Sequence, residues 1–216
     1  MPDKINLIVF TKPYDCIKAK TRLRKSDNLE DAQVTAIHNN LLSHTLDTCL
    51  EVQQKNQNLS VQVHWYEKNK SSKINKYLND FKFVLQSGED FIEKFNNSLL
   101  RSLNQNFHTI VIGSDCPMLT SEILQETIDA IKDGNSVIGP CRGKGFYLLA
   151  LHLNAKNINI KNIFKDYDNE VSALKELLKN NNYTQLEELI DVDMYSDIEF
   201  IKEFHSSEKI LKILQL

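Results

Sequence analysis

Apolar residues along the chain come in short runs, separated by longer stretches in which they recur every three or four positions. Residues 4–10 (KINLIVF) read as a buried first strand, bounded by Thr11-Lys12-Pro13. Residues 29–54 read as a long helix, with Ala32, Ala36, Ile37, Leu41, Thr45, Leu46 and Cys49 repeating at helical steps. Val61, Val63 and Trp65 alternate with Gln62 and His64, the mark of a half-exposed strand. A short helix over 72–78, a strand over 81–85 and a helix over 90–103 follow. A strand at 109–112 (TIVI) comes next, then a helix over 120–132 with Thr120 as its N-cap.

Residues 136–139 and 146–151 form two strands too close in sequence for a helical crossover. Helices over 171–179 and 198–214 flank a last short strand at 189–192, and the Asn-rich stretches 154–162 and 180–182 read as surface loops. Strands alternating with helices imply a mainly parallel sheet covered on both faces, in one α/β domain spanning residues 1–216.

Composition narrows the class. The 216 residues are 41% hydrophobic and 25% charged, enough for a real core and against intrinsic disorder as the main story. The longest apolar run, residues 146–151, falls far short of the roughly 18–20 residues of a membrane span. Residues 5–10, interrupted by Asn6, are too short for a signal peptide, so a cytoplasmic location is expected. Cys16, Cys49, Cys116 and Cys141 are widely spaced with no metal-binding rhythm, which predicts free thiols. The six histidines show neither HExxH spacing nor a triad partner, and no G-x-S-x-G elbow is present.

The net charge of −3 offers no global attraction for nucleic acid, but it hides a local concentration of positive charge. Residues 12–25 (KPYDCIKAKTRLRK) hold six basic residues and one acid, immediately after the first strand, where open α/β sheets bind ligands. Lys18, Lys20, Arg22 and Arg24 alternate, so an extended loop would point them the same way; a phosphate cradle and a merely solvated basic loop both fit. Gly113-Ser114-Asp115-Cys116-Pro117 follows the TIVI strand, placing Asp115 either to cap a turn or to hold a hard divalent cation together with substrate phosphate. Asp191-Val192-Asp193 and Asp197 lie near the last strand, where Asp193 either joins Asp115 around a metal or one of the group caps a helix.

Glycine points to the same region. About 15 would be average for this length, yet there are six, and five of them lie between Gly113 and Gly145. Within residues 139–148 (GPCRGKGFYL) the glycines permit either close approach of a substrate or a hairpin turn, with Phe146 or Tyr147 lining a pocket.

The succession F-T-K-P, K-T-R-L, G-S-D-C-P-x-L-T, G-P with an aromatic-Leu strand, then D-V-D resembles one family. It is the glycosyltransferase-like family of bacterial proteins related to 2-phospholactate guanylyltransferase, which includes arsenosugar-biosynthesis glycosyltransferases, and the match runs in order from Leu7 to Ile198. The resemblance implies a GT-A-like nucleotide-diphospho-sugar transferase fold, a three-layer α/β/α sandwich. It implies that Lys12, Lys20, Thr21, Arg22 and Ser114 face the nucleotide, that Asp115 is catalytic and binds Mg²⁺ or Mn²⁺ with Asp193, and that Gly143, Lys144 and Phe146 form the substrate pocket. The implied reaction is transfer of a sugar from a nucleotide sugar to a small-molecule acceptor, with nucleotidyl transfer from a nucleoside triphosphate, or an inert nucleotide-binding homologue, as alternatives. Two departures stand out. Relatives read P-P-x-P-G before the basic stretch where this chain has residues 13–17 (PYDCI), and G-P-A-x-D-G-G-Y-Y-L where the acid and first glycine have become Gly143 and Lys144.

Overall fold

The apolar runs assemble into one sheet. A computed structural model describes residues 4–143, 145–165, 169–205 and 207–215. Its strands are β1 (Ile5–Thr11), β2 (Leu59–Trp65), β3 (Lys82–Leu85), β4 (His108–Ile112), β5 (Ser136–Pro140), β6 (Phe146–Leu151) and β7 (Tyr183–Gln185), ordered β3-β2-β1-β4-β6-β5-β7. Only β6 runs antiparallel, pairing Thr109 with Leu151 on one side and Val137 with Ala150 on the other. The helices are α1 (Asp31–Lys55), α2 (Phe91–Leu103), α3 (Ser121–Lys132), α4 (Glu170–Leu178), α5 (Tyr195–Phe204) and α6 (Glu208–Leu214). None of the described helices is long and apolar enough to cross a membrane.

The central strands read as continuous apolar runs because both faces are covered. Leu7, Val9, Ile110, Ile112 and Leu148 pack with α1 and α3 residues such as Leu46 and Ile128. Ile8, Val111 and Leu149 pack on the other face with Leu99 of α2 and Leu174 of α4. This is the three-layer α/β/α arrangement. A third cluster, with Leu23, Ile37, Leu41, Val192, Ile198 and Leu214, ties the segment after β1 and the C-terminal helices to the first half of α1. All four cysteines are buried and free.

Three local readings are corrected. Residues 154–162 are not a plain surface loop: 3₁₀ turns at Leu153–Ala155 and Ile160–Lys165 bury Ala155, Ile160, Ile163 and Phe164 under the sheet. The expected strand at 189–192 is an extended connection with a single bridge from Leu189 to Cys141, while the edge strand is β7, which is polar because an edge strand need not be buried. The expected helix over 198–214 breaks at His205, where α5 ends and Ser207 caps α6 by accepting from the Ile210 amide.

His64 of β2 is buried and held by the Ser98 hydroxyl (2.8 Å) and the Gln62 amide oxygen (3.2 Å). Burial, reinforced by Arg101 and Lys82, pushes its imidazole down to about 4. The unfolded chain takes up a proton near pH 6.5 that folded His64 refuses until about pH 4, so stability is full above 6.5 and lost as pH falls through that window. His38 and His44, also pushed down by burial, act in the same direction. Urea unfolding at pH 7 and pH 5 should show His64 alone removing about 2 kcal/mol; a His64→Gln variant with an equally steep loss would refute the assignment.

Candidate active site

β1 continues leftward through β2 and β3, whereas β4 continues to the right, so a crevice opens between their carboxyl ends. A cleft of about 500 Å³ occupies it, lined by Thr11 and Lys12 from the end of β1 and residues 113–116 from the end of β4, among others. The two strand tips are tied by a hydrogen bond of 2.6 Å between the Thr11 and Ser114 hydroxyls.

Lys20 is the most constrained residue of this site. Its side chain is 2% exposed, and its ammonium donates to Val192 O at 2.6 Å and pairs with Asp115 Oδ1 at 2.7 Å. Its backbone has φ +54, a left-handed conformation that side chains disfavour by about 1 kcal/mol. The surroundings impose it: Arg24 donates to Ala19 O and Lys20 O accepts from the Arg24 amide, while Arg24 also reaches Asp31 and Thr35 of α1. The earlier left-handed residue of this loop, Asp15 (φ +59), is clasped by Asn39.

The basic residues do not point one way, because residues 17–25 form turns and a 3₁₀ turn instead of an extended loop. Lys12 lines the cleft, its ammonium on Lys18 O at 2.5 Å. Thr21 is exposed outside the lining, and Arg22, also exposed, pairs with Asp193 at 2.8 Å. Ser114 and Asp115 line the cleft together. Asp193 lies on the Arg22 side, and Asp197 serves as the cap of α5, its carboxylate accepting from the Asp193 and Met194 amides at 2.9 and 2.6 Å.

Asp191 instead enters the cleft. Burial, then the charges of Asp193 and Asp115, push its carboxyl up to about 6. Glu170, the first residue of α4, also lines the cleft and is raised by burial and by Asp191. Sequence reasoning passed over both. The D-V-D motif contained Asp191, but the acid expected beside Asp115 is Asp193; the Val192 amide donates to Asp115 O (2.9 Å), and Asp191 is the acid of the motif that lines the cleft. Glu170 carried no motif. Cys116 and Cys141 line the cleft as protonated thiols, Cys116 pushed up to about 12 by burial.

The β5–β6 hairpin closes one side. The Cys141 amide donates to Gly145 O at 2.8 Å, and Gly143, with φ +111, turns the chain at an exposed position outside the lining. Lys144 lies outside the described residues. Phe146 lines the cleft. Gly139 is a packing glycine: a Cβ there would stand 2.5 Å from the ring of Tyr147.

Among the described residues no cluster of three or more His, Cys, Asp or Glu side chains could hold a metal by itself. Asp115 and Asp191 nevertheless suit a hard cation. Burial and then the nearby carboxylates, Asp193 first and Asp115 after it, disfavour the charge on Asp191, and a divalent ion completing its shell with substrate oxygens and water would relieve that cost. His38 adds an unsatisfied group beside them: one ring nitrogen meets Pro13 O at 3.0 Å, while Nδ1 is buried without a partner.

A family model described as an uncharacterized protein conserved in bacteria (DUF2064) matches residues 45–168. No curated protein matches. Among solved structures, a candidate nucleotide-diphospho-sugar transferase from Desulfovibrio desulfuricans aligns with a TM-score of 0.73 at 16% identity, over 98% of this chain and 97% of that one. The 4-diphosphocytidyl-2C-methyl-D-erythritol synthase of Anaerococcus prevotii aligns with a TM-score of 0.55 at 13% identity, over 94% and 97%. Rv0371c of Mycobacterium tuberculosis in complex with manganese aligns with a TM-score of 0.50 at 14% identity, over 93% and 99%. These likenesses show the nucleotide-diphospho-sugar transferase fold.

Proposed function

The chain belongs to the DUF2064 family, and from its cleft we propose that it acts as a single transferase domain moving a sugar from a nucleotide sugar to a small-molecule acceptor. The observation that carries this reading is the meeting of Lys20, Asp115 and Asp191 at the carboxyl ends of β1 and β4. Lys12, Lys20 and Lys94 line the cleft, whereas Arg22 and Arg24 are drawn off by Asp193 and Asp31.

Asp115 and Asp191 would hold Mg²⁺ or Mn²⁺, and the manganese complex of a protein of this fold supports that choice. When bound, the cation supplies Lewis-acid stabilisation of diphosphate charge. In the reaction the acceptor oxygen bonds to the anomeric carbon as the bond from that carbon to the diphosphate breaks. The diphosphate keeps the electron pair, and the acceptor proton passes to solvent. Lys20, fixed before substrate arrives, holds positive charge where the leaving group gains negative charge and needs no reorganisation to do so. Ser114 and Thr11 keep the two strand tips in register around it.

Thermal melting with nucleoside triphosphates, diphosphates and nucleotide sugars, each with and without Mg²⁺ or Mn²⁺, tests this. A ligand at 100 times its Kd stabilises by roughly 2.7 kcal/mol, a shift of about 5–10 °C at this size. A metal-dependent shift with a nucleotide sugar is expected. A shift with a triphosphate alone would favour nucleotidyl transfer, and no shift with any ligand would favour an inert homologue.

A further inference from the structure

The cleft also has an aromatic end. Phe10, Phe91, Phe95, Phe146 and Phe164, half of the ten phenylalanines in the chain, line it, with Lys94 between Phe91 and Phe95 on α2. They come from β1, α2, β6 and the 3₁₀ turn before α4, and pack mostly edge to face with ring centroids 5.5–6.3 Å apart. Burial alone does not explain this wall. Phe91 is 57% exposed, and Phe10 and Phe146 are only partly covered.

From this juxtaposition we infer that the aromatic end is the acceptor subsite, and that the acceptor is a hydroxyl compound built on an apolar ring system, its hydroxyl donating to the Glu170 carboxylate. The inference deepens the glycosyl-transfer reading and rests on it. Glu170 is placed for this contact: its Oε2 lies 3.7 Å from where a Cβ on Gly145 would stand, one residue before Phe146. An apolar ring placed against the five rings continues their edge-to-face packing. Phe10 adjoins Thr11 and Lys12 in the chain, so the two ends meet at the tip of β1 and a ring-borne hydroxyl there faces the diphosphate end.

The test measures binding of 2-naphthol, 2-methoxynaphthalene and glucose by ligand-observed NMR, beside the metal-dependent thermal shift with nucleotide sugars. The intact protein should bind 2-naphthol at least about tenfold more tightly than glucose, and Phe91→Ser should weaken that binding by about tenfold. Glu170→Gln should weaken 2-naphthol by about threefold or more while sparing 2-methoxynaphthalene, which has no hydroxyl to donate. A cooperative melting transition in each variant establishes that it folds. Equal binding of glucose and 2-naphthol, or no effect of Phe91→Ser, overturns the proposal. So does a Phe91→Ser variant that loses nucleotide as steeply as naphthol, which would make this end a platform for the base. If naphthol binds as described but no nucleotide sugar shifts the melting temperature, the glycosyl-transfer reading fails and the aromatic site stands.

Discussion

Asp115→Asn is expected to remove the metal-dependent part of nucleotide binding and to lower turnover by about 10²–10³-fold, the range for loss of one electrostatic group at a reacting centre. The amide keeps the side chain's shape and its hydrogen-bonding oxygen beside Lys20 but loses the charge that a hard cation requires. Asp191→Asn should follow it. Asp193→Asn should retain the metal-dependent shift, because Asp193 faces the exposed Arg22 and does not line the cleft. Melting curves with and without Mn²⁺ decide the matter. Retained metal dependence in Asp115→Asn would remove Asp115 as a ligand, and its loss in Asp193→Asn with Asp191→Asn unaffected would give the ligand role to the other acid of the D-V-D motif.

Removing the Lys20 ammonium is the second large perturbation. Lys20→Ala takes away both contacts that its nitrogen makes, leaving Val192 O and Asp115 without their donor. One-sided loss of a fully buried ion pair costs about 3–5 kcal/mol. The Asp115 side chain is 42% exposed, so water screens part of this and about 2 kcal/mol is expected, a fall of roughly 4–8 °C in Tm. Lys20→Gly loses the same contacts but relaxes the left-handed backbone, and should be about 1 kcal/mol more stable than Lys20→Ala. Calorimetry of the two variants separates ion pair from strain. If Lys20→Ala melts with the parent, the buried pair does not hold the loop.

The sheet was legible where burial on both faces produces unbroken apolar runs. Six of the seven expected strands lie within a residue or two of their observed positions, including β6 at Phe146–Leu151. The misplaced strand shows where that signal fails. Leu189, Ile190 and Val192 are as apolar as a strand because they fill the core, yet their hydrogen bonds go to the ends of two different strands, at Pro140 and Asp115, and form no ladder. The candidate site was legible only as a region: Lys12, Ala19 and Lys20 of the basic segment, residues 113–116 and, from the hairpin, Cys141, Phe146 and Tyr147 line one crevice, whereas four of the five clustered glycines do not. Which member of each set faces inward was not. That depends on single contacts such as Lys20 to Val192 O and Arg22 to Asp193, set by turns without periodicity.

The reversed direction of β6 has a consequence for descent. A parallel strand in its place would need a crossover and would begin at the far edge of the sheet. As it is, the hairpin that joins β5 to β6 brings Cys141 and Phe146 into the lining of the cleft, beside the end of β4, where the Gly113 amide donates to Tyr147 O. Turns accept changes of length and residue type while the strands on either side keep their register. Under the proposed function, acceptor preference can therefore diverge among copies of an ancestral gene through this hairpin, while the proposed donor end on β1 and β4 is inherited intact.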